Sequence, residues 1–205
     1  MHDDQTKGDE TSDARLLAQI AAGTESAFIA LYRRHHGHVH RFAFALARSA
    51  SIAQDVTQEV FLNALQNAAR FDAAKGTVKA WLLGCARHRL LDRLRAEARY
   101  TGGVPEESVA CEGEEQVLTQ QRLVQLHAAI ARLPLEYREA LVLCELEELT
   151  YAETAAVLEC PIGTVRSRLH RARALLCAML NPTVAASAAA EPAAPAVLNP
   201  SEVCS

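Results

Sequence analysis

Four closely spaced histidines, His35, His36, His38 and His40, are the first residues in this chain whose type and spacing suggest chemistry. On a helix, His35/His38 and His36/His40 fall on shared faces at separations that suit paired metal ligands. A zinc protease would need a glutamate general base between the histidines of such a pair, and Gly37 stands there instead. No Ser/His/Asp set and no pair of carboxylates stands out elsewhere, so the chain reads as a non-enzyme without a cofactor. The histidine cluster is then a polar helix surface, with a regulatory metal site as its alternative. The six cysteines (85, 111, 144, 160, 177 and 204) contain no CxxC pair, which argues against a zinc ribbon or a disulfide framework. Cys85, Cys144, Cys160 and Cys177 fall in expected helices or turns and read as small packing residues. Cys111 and Cys204 fall in flexible segments, where a thiol switch is conceivable, although the acids around Cys111 would raise its pKa and blunt it.

The arginines carry the other chemistry. The chain has a net charge of −4, yet its bases are overwhelmingly arginine, the residue that grips phosphates and guanine edges with two parallel bonds. They are also segregated. Residues 162–177 hold Arg166, Arg168, Arg171 and Arg173 without a single acid, and residues 86–99 hold five arginines against Asp92 and Glu97. Acids collect in residues 1–15 and 105–115. An acidic protein with two basic segments has two separate surfaces for a polyanion.

The elements that must position these residues are helical. Strand signals are nearly absent, and apolar residues recur at spacings of three and four. Leu16, Leu17 and Ile20 form a short stripe ending at Gly23, and a second helix starts at Thr24. A third spans about 53–68, with Val56, Val60, Ala64 and Ala68 inward. After a loop at Asp72–Gly76, a long helix runs from Thr77 to Ala98 on the stripe Leu83, Ala86, Leu90 and Leu94. Its first turns also carry Trp81 and Cys85 on the other side, which calls for a further helix to cover them. Leu123, Leu126, Ile130 and Leu133 predict another amphipathic helix that Pro134 ends, and Tyr137, Leu141 and Cys144 continue on the next one. In LTYAETAAVLECPIGTVRSRLHRARALL, Thr150 and Glu153 form a capping box, Glu159-Cys160-Pro161 breaks the helix, and a second helix follows. There Val165, Leu169, Ala172 and Leu176 face inward, and Thr164, Arg166, Ser167, His170, Arg171 and Arg173 are left outside. That arrangement puts side chains into a major groove; a solvated basic face on a helical hairpin is the plainer alternative. For the long helix, with His88, Arg95 and Arg99 beside Asp92, the solvated face stays open as well.

The fold class is therefore all-α, two small helical domains joined by a flexible acidic linker. The expected divisions are a disordered arm at 1–13, a helical domain at 14–99, a linker at 100–118, a helix-turn-helix domain at 119–180 and a disordered Ala/Pro-rich tail at 181–205. No apolar run approaches the roughly 18 residues of a membrane span. The polar, acidic start does not resemble a secretory signal, so the expected location is cytoplasmic.

Taken together, DVTQEVFLNAL (55–65), GTVKAWLLGCARHRLLDRLR (76–95), the acidic linker and LPLEYREALVLCELEELTYAETAAVLECPIGTVRSRLHRARALL resemble the extracytoplasmic-function (ECF) group of the sigma-70 family. The resemblance covers about residues 24–178. It implies a sigma region 2 domain at 14–99 and a sigma region 4 domain at 119–180. Such a protein is a transcription initiation factor that binds core RNA polymerase and directs it to promoter DNA. Carried over to this chain, Thr164, Arg166, Ser167, His170, Arg171 and Arg173 would lie along the −35 element, with Arg173 and Arg168 serving packing or phosphates. Lys75, Thr77 and Lys79, in the segment matching the one that captures an unstacked −10 base, join Arg87, His88 and Arg95 as the −10 set. Asp55, Gln58 and Glu59 match the surface that docks on the β′ coiled coil, and the second domain would meet the β flap. The resemblance also implies an anti-sigma factor as partner. Ile52-Ala53-Gln54-Asp55 keeps one acid of the cluster usual before the docking helix, and His88 stands where the family usually has asparagine. The rival reading is a stand-alone helix-turn-helix regulator, which has no use for the docking motif at 55–61. An interaction-only antagonist would have no use for the acid-free face at 162–177.

Overall fold

The computed structural model describes residues 13–101 and 117–180, with side chains except at 97–101 and 117–123. Most of the arm, the central linker, the tail, and Cys111 and Cys204 with their thiol switch lie outside the described residues. Among the described residues, eight α-helices, two 3₁₀ turns and one π turn make up the body. Residues 13–21 (α1) precede α2 (Glu25–Ala47), α3 (Ala50–Asn67) and α4 (Val78–Thr101), with two short 3₁₀ turns, Ala68–Arg70 and Ala73–Lys75, between α3 and α4. After the linker come α5 (Val117–Arg132), α6 (Leu135–Leu141), a π turn at Val142–Leu146, α7 (Tyr151–Leu158) and α8 (Ile162–Leu180).

Each helix of the first half buries one stripe. In α2, Leu31, Val39, Phe42 and Leu46 point inward, and in α3 Val56, Val60 and Ala64 do. Leu83, Ala86 and Leu90 of α4 are fully buried together with Leu82, while Leu94 is half-buried. Fully burying one such leucine contributes roughly 1.5–3 kcal/mol. Gly23 stops α1 with φ +86, a value that costs an L side chain energy. Asp13, at the end of the expected disordered arm, is instead helical and buried, because Arg34 donates to its carboxylate and His35 Nε2 lies 2.7 Å from it. Helix also enters both ends of the segment read as linker: α4 continues to Thr101, directly before the helix-breaking pair Gly102-Gly103.

The second half departs from the simple helical spacing at one place. The pattern Tyr137, Leu141, Cys144 predicts one continuous helix, but the chain widens into a π turn, with Glu147 N–H donating to Val142 C=O at 2.9 Å. The extra residue in that turn changes the register, and Glu147 ends up completely buried beside Val142 and Leu143. The two halves also touch. Helix α2 packs on α5, α6 and the π turn, and α4 packs on α7. The buried apolar side chains form one cluster that runs from Phe42 and Leu83 to Leu143 and Leu169.

Candidate nucleic-acid interface

The turn that presents α8 is built as the sequence predicts. Thr150 Oγ1 accepts from Glu153 N–H at 3.2 Å, and Glu153 Oε2 accepts from Thr150 N–H at 2.9 Å, closing the capping box. Glu159 takes a left-handed conformation at the end of α7, and α8 starts just after Pro161. Val165, Leu169 and Ala172 are buried, which leaves Arg166, Ser167, His170, Arg171 and Arg173 exposed and Thr164 half-buried. The arginines are braced from outside the helix. Arg166 lies 5.9 Å over the Tyr151 ring, Arg171 donates to Tyr137 Oη at 3.4 Å, Arg173 donates to Glu145, and Arg168 pairs with Glu136 at 3.8 Å. Sequence reasoning assigned Tyr137 to packing and missed Tyr151, Glu136 and Glu145, since nothing in local spacing marks a brace from another helix.

The second basic segment lines a groove of about 940 Å³. Lys75, Thr77, Arg87, His88 and Arg95 border it, together with the aromatic rings of Phe71 and Trp81. Arg70 and Arg89 also border it and had not been singled out. The Phe71 ring meets Trp81 edge-on at 5.7 Å, and Asn63 of α3 donates to Cys85 Sγ at 3.6 Å. The cover expected over these two residues thus comes from α3 and from the segment before α4. Burial pushes the Cys85 thiol pKa up. His88 and Arg95 both approach Asp92, each at 3.4 Å. Lys79 of the expected set is placed differently. It does not border the groove; its Nζ donates to the Glu147 carbonyl and lies 3.8 Å from that residue's carboxylate, and desolvation lowers its pKa.

Asp55, Gln58 and Glu59 share one side of α3. Arg93 donates to Asp55 at 3.1 Å and also to Glu59, and Arg89 lies 3.9 Å from Glu59. Gln54 and Gln58 border an adjoining groove of about 530 Å³ floored by Phe28, Tyr32, Phe61 and Leu62. Leu62, like Leu65 on the same helix, is exposed.

The histidines do not converge. His35 binds Asp13, His38 Nδ1 lies 2.5 Å from Glu147 Oε2, His36 stacks on Tyr32 at 5.1 Å and His40 on Phe44 at 6.5 Å. Among the described residues no three His, Cys, Asp or Glu side chains are placed to hold a metal ion. Cys85, Cys144 and Cys160 are half-buried, whereas Cys177 is exposed, against its reading as a packing residue. Its position on α8 lies outside the buried stripe of Val165, Leu169 and Ala172.

Comparison with known proteins places both halves of the chain in one family. The model for sigma-70 region 2 matches residues 31–100, and that for sigma-70 region 4 matches residues 123–176. The ECF RNA polymerase sigma factor SigM of Mycobacterium tuberculosis is 38% identical over 174 residues, covering 83% of this chain and 86% of that protein. The chain belongs to the ECF group of sigma-70 RNA polymerase sigma factors. It is a transcription initiation factor, not an enzyme. SigC of the same species is 37% identical over 180 residues, covering 86% of the sigma factor described here and 96% of SigC. Among solved structures, CnrH in complex with the cytosolic domain of CnrY superposes with a TM-score of 0.65 at 26% identity, covering 83% of this sigma factor and 98% of that chain. RpoE in complex with the anti-sigma factor NepR from Bartonella quintana does so with 0.64 at 27% identity, covering 75% and 96%. Region 2 of this sigma factor thus corresponds to α2–α4, and region 4 to α5–α8. No described helix is long and apolar enough to cross a membrane.

Proposed function

We propose that this sigma factor directs core RNA polymerase to promoters through three surfaces of its own. Helix α8 reads the −35 element in the major groove with Arg166, Ser167, His170 and Arg171, while Thr164 and Arg173 contact its backbone. The groove on α4 takes an unstacked −10 strand, with Lys75, Thr77, Arg87, His88 and Arg95 as polar contacts and Phe71 and Trp81 as stacking partners. The acidic side of α3, with Asp55, Gln58 and Glu59 beside the exposed apolar groove, docks on the β′ coiled coil, and the second domain meets the β flap. The protein works in the cytoplasm with its polymerase and is held by an anti-sigma factor, as RpoE from Bartonella quintana is in its complex with NepR.

The observation that carries this reading is the acid-free exposed face of α8 behind a correctly capped turn. A stand-alone regulator would share that face, but the basic, aromatic groove on α4 suits a melted strand rather than a duplex. The test is permanganate footprinting of open complexes. Replacing Arg87 and His88 with alanine should lower thymine reactivity at −10 by about tenfold or more while leaving the −35 footprint in place. Equal melting by the variant would remove the groove from the account.

A further inference from the structure

The four arginines of α8 are held by two kinds of partner. Arg168 pairs with Glu136 and Arg173 with Glu145, both carboxylates. Arg166 and Arg171 meet tyrosines instead. Arg166 lies 5.9 Å over the Tyr151 ring, and Arg171 Nη1 donates to Tyr137 Oη at 3.4 Å. A carboxylate neutralises a guanidinium and occupies donors that DNA would use. A tyrosine leaves the charge in place. The ring contact consumes no N–H of Arg166, and the single bond from Arg171 Nη1 leaves the edge formed by its Nε–H and Nη2–H open for two parallel bonds. Both tyrosines belong to helices other than α8. Tyr137 on α6 is half-buried against the hydrophobic cluster, which fixes its ring, and Tyr151 opens α7 directly after the Thr150 cap. Helices α6 and α7 both pack on α8.

We propose that Tyr137 and Tyr151 are positioning residues that set −35 specificity, holding Arg171 and Arg166 in the orientation in which each meets a guanine edge. The proposal rests on the reading of α8 as the −35 helix. The chemistry of the partners follows the roles in that reading, because the tyrosines fall on the two arginines that reach bases and the carboxylates on the two that do not. An unbraced arginine on a helix surface samples many rotamers, and freezing it on binding costs affinity. The brace meets that cost when the protein folds. The planar fork must also arrive in the plane of the base for both bonds to form. Bracing therefore sharpens the choice of base, whereas general affinity for DNA comes from phosphate contacts and changes little.

The test uses holoenzyme formed from core polymerase and each full-length variant. The probe is a duplex carrying a promoter recovered from host DNA and randomised over about one helical turn around −35. Sequencing the bound fraction gives the base preference at each position. Arg171→Ala and Arg166→Ala first identify the position that each arginine reads. Tyr137→Phe keeps the ring and removes only the hydroxyl; it should lower the preference at the Arg171 position by roughly three- to tenfold and leave the other positions within about twofold. Tyr151→Leu should do the same at the Arg166 position, and Tyr151→Phe, which keeps the π face, should restore it. In the Arg171→Ala chain, adding Tyr137→Phe should have no further effect. A merely structural role would weaken every position alike. Such uniform loss, or a Tyr137→Phe effect that persists without Arg171, overturns the proposal, and an unchanged preference at either position overturns its brace; in each case α8 stays the reader. Base preferences around −35 that neither arginine replacement alters overturn that reading as well.

Discussion

Arg87 and Glu139 illustrate how a single contact sets both chemistry and stability. Glu139 is only 3% exposed, and desolvation raises its carboxyl pKa more than the Arg87 and Arg168 guanidinium groups can lower it. A carboxyl whose folded pKa lies above the unfolded value binds more protons folded than unfolded between the two. Its contribution is therefore fully present below the unfolded value, near 4.5, and is lost as pH rises through the folded one. Glu139→Gln removes that titration, so its melting temperature relative to the native chain should climb as pH rises through that window. The change is at most about 1.4 kcal/mol per pH unit, read by thermal denaturation at several pH values; a flat or falling difference would show that Arg87 more than offsets the burial. The recognition-helix arginines were legible in the sequence because no acid lies near them along the chain. Lys79 was not, since its anion lies 68 residues away and only the folded molecule brings the two together.

Helices and their ends were the most readable level. The stripe Val56, Val60, Ala64 and Ala68 is buried as its spacing predicts. The capping box at Thr150 is present with both of its reciprocal bonds, and these give the element-scale prediction. Thr150→Ala leaves an N-terminal amide of α7 without its acceptor and should cost about 1 kcal/mol, a fall of roughly 2–4 °C in melting temperature for a chain of this size. Thr150→Ser should keep most of that stability; equal losses in both variants would mean that the cap contributes nothing. The π turn at Val142–Leu146 was the unreadable element. Its sequence supports an ordinary helix, and the widened turn is selected by packing, because it buries Leu143 and Glu147 against the first half together.

At the scale of the whole molecule, the sequence marked two domains and an acidic segment between them but not their contact. Pairs such as His38 with Glu147, 109 residues apart, leave no local trace, since each partner alone reads as an ordinary surface charge. The structure makes that contact a link between the halves that carry the two basic surfaces, with α7 serving both as the helix before α8 and as a wall of the groove on α4. The central claim is that the chain selects promoters for core polymerase. It is tested most directly by transcription in vitro from fragmented host DNA, using core RNA polymerase stripped of sigma factors and this protein alone. Discrete transcripts should appear and should be lost when Arg166 and Arg171 are both replaced by alanine, each base contact being worth about 1–3 kcal/mol. Transcripts that survive the double replacement, or none from the native chain, would contradict the account.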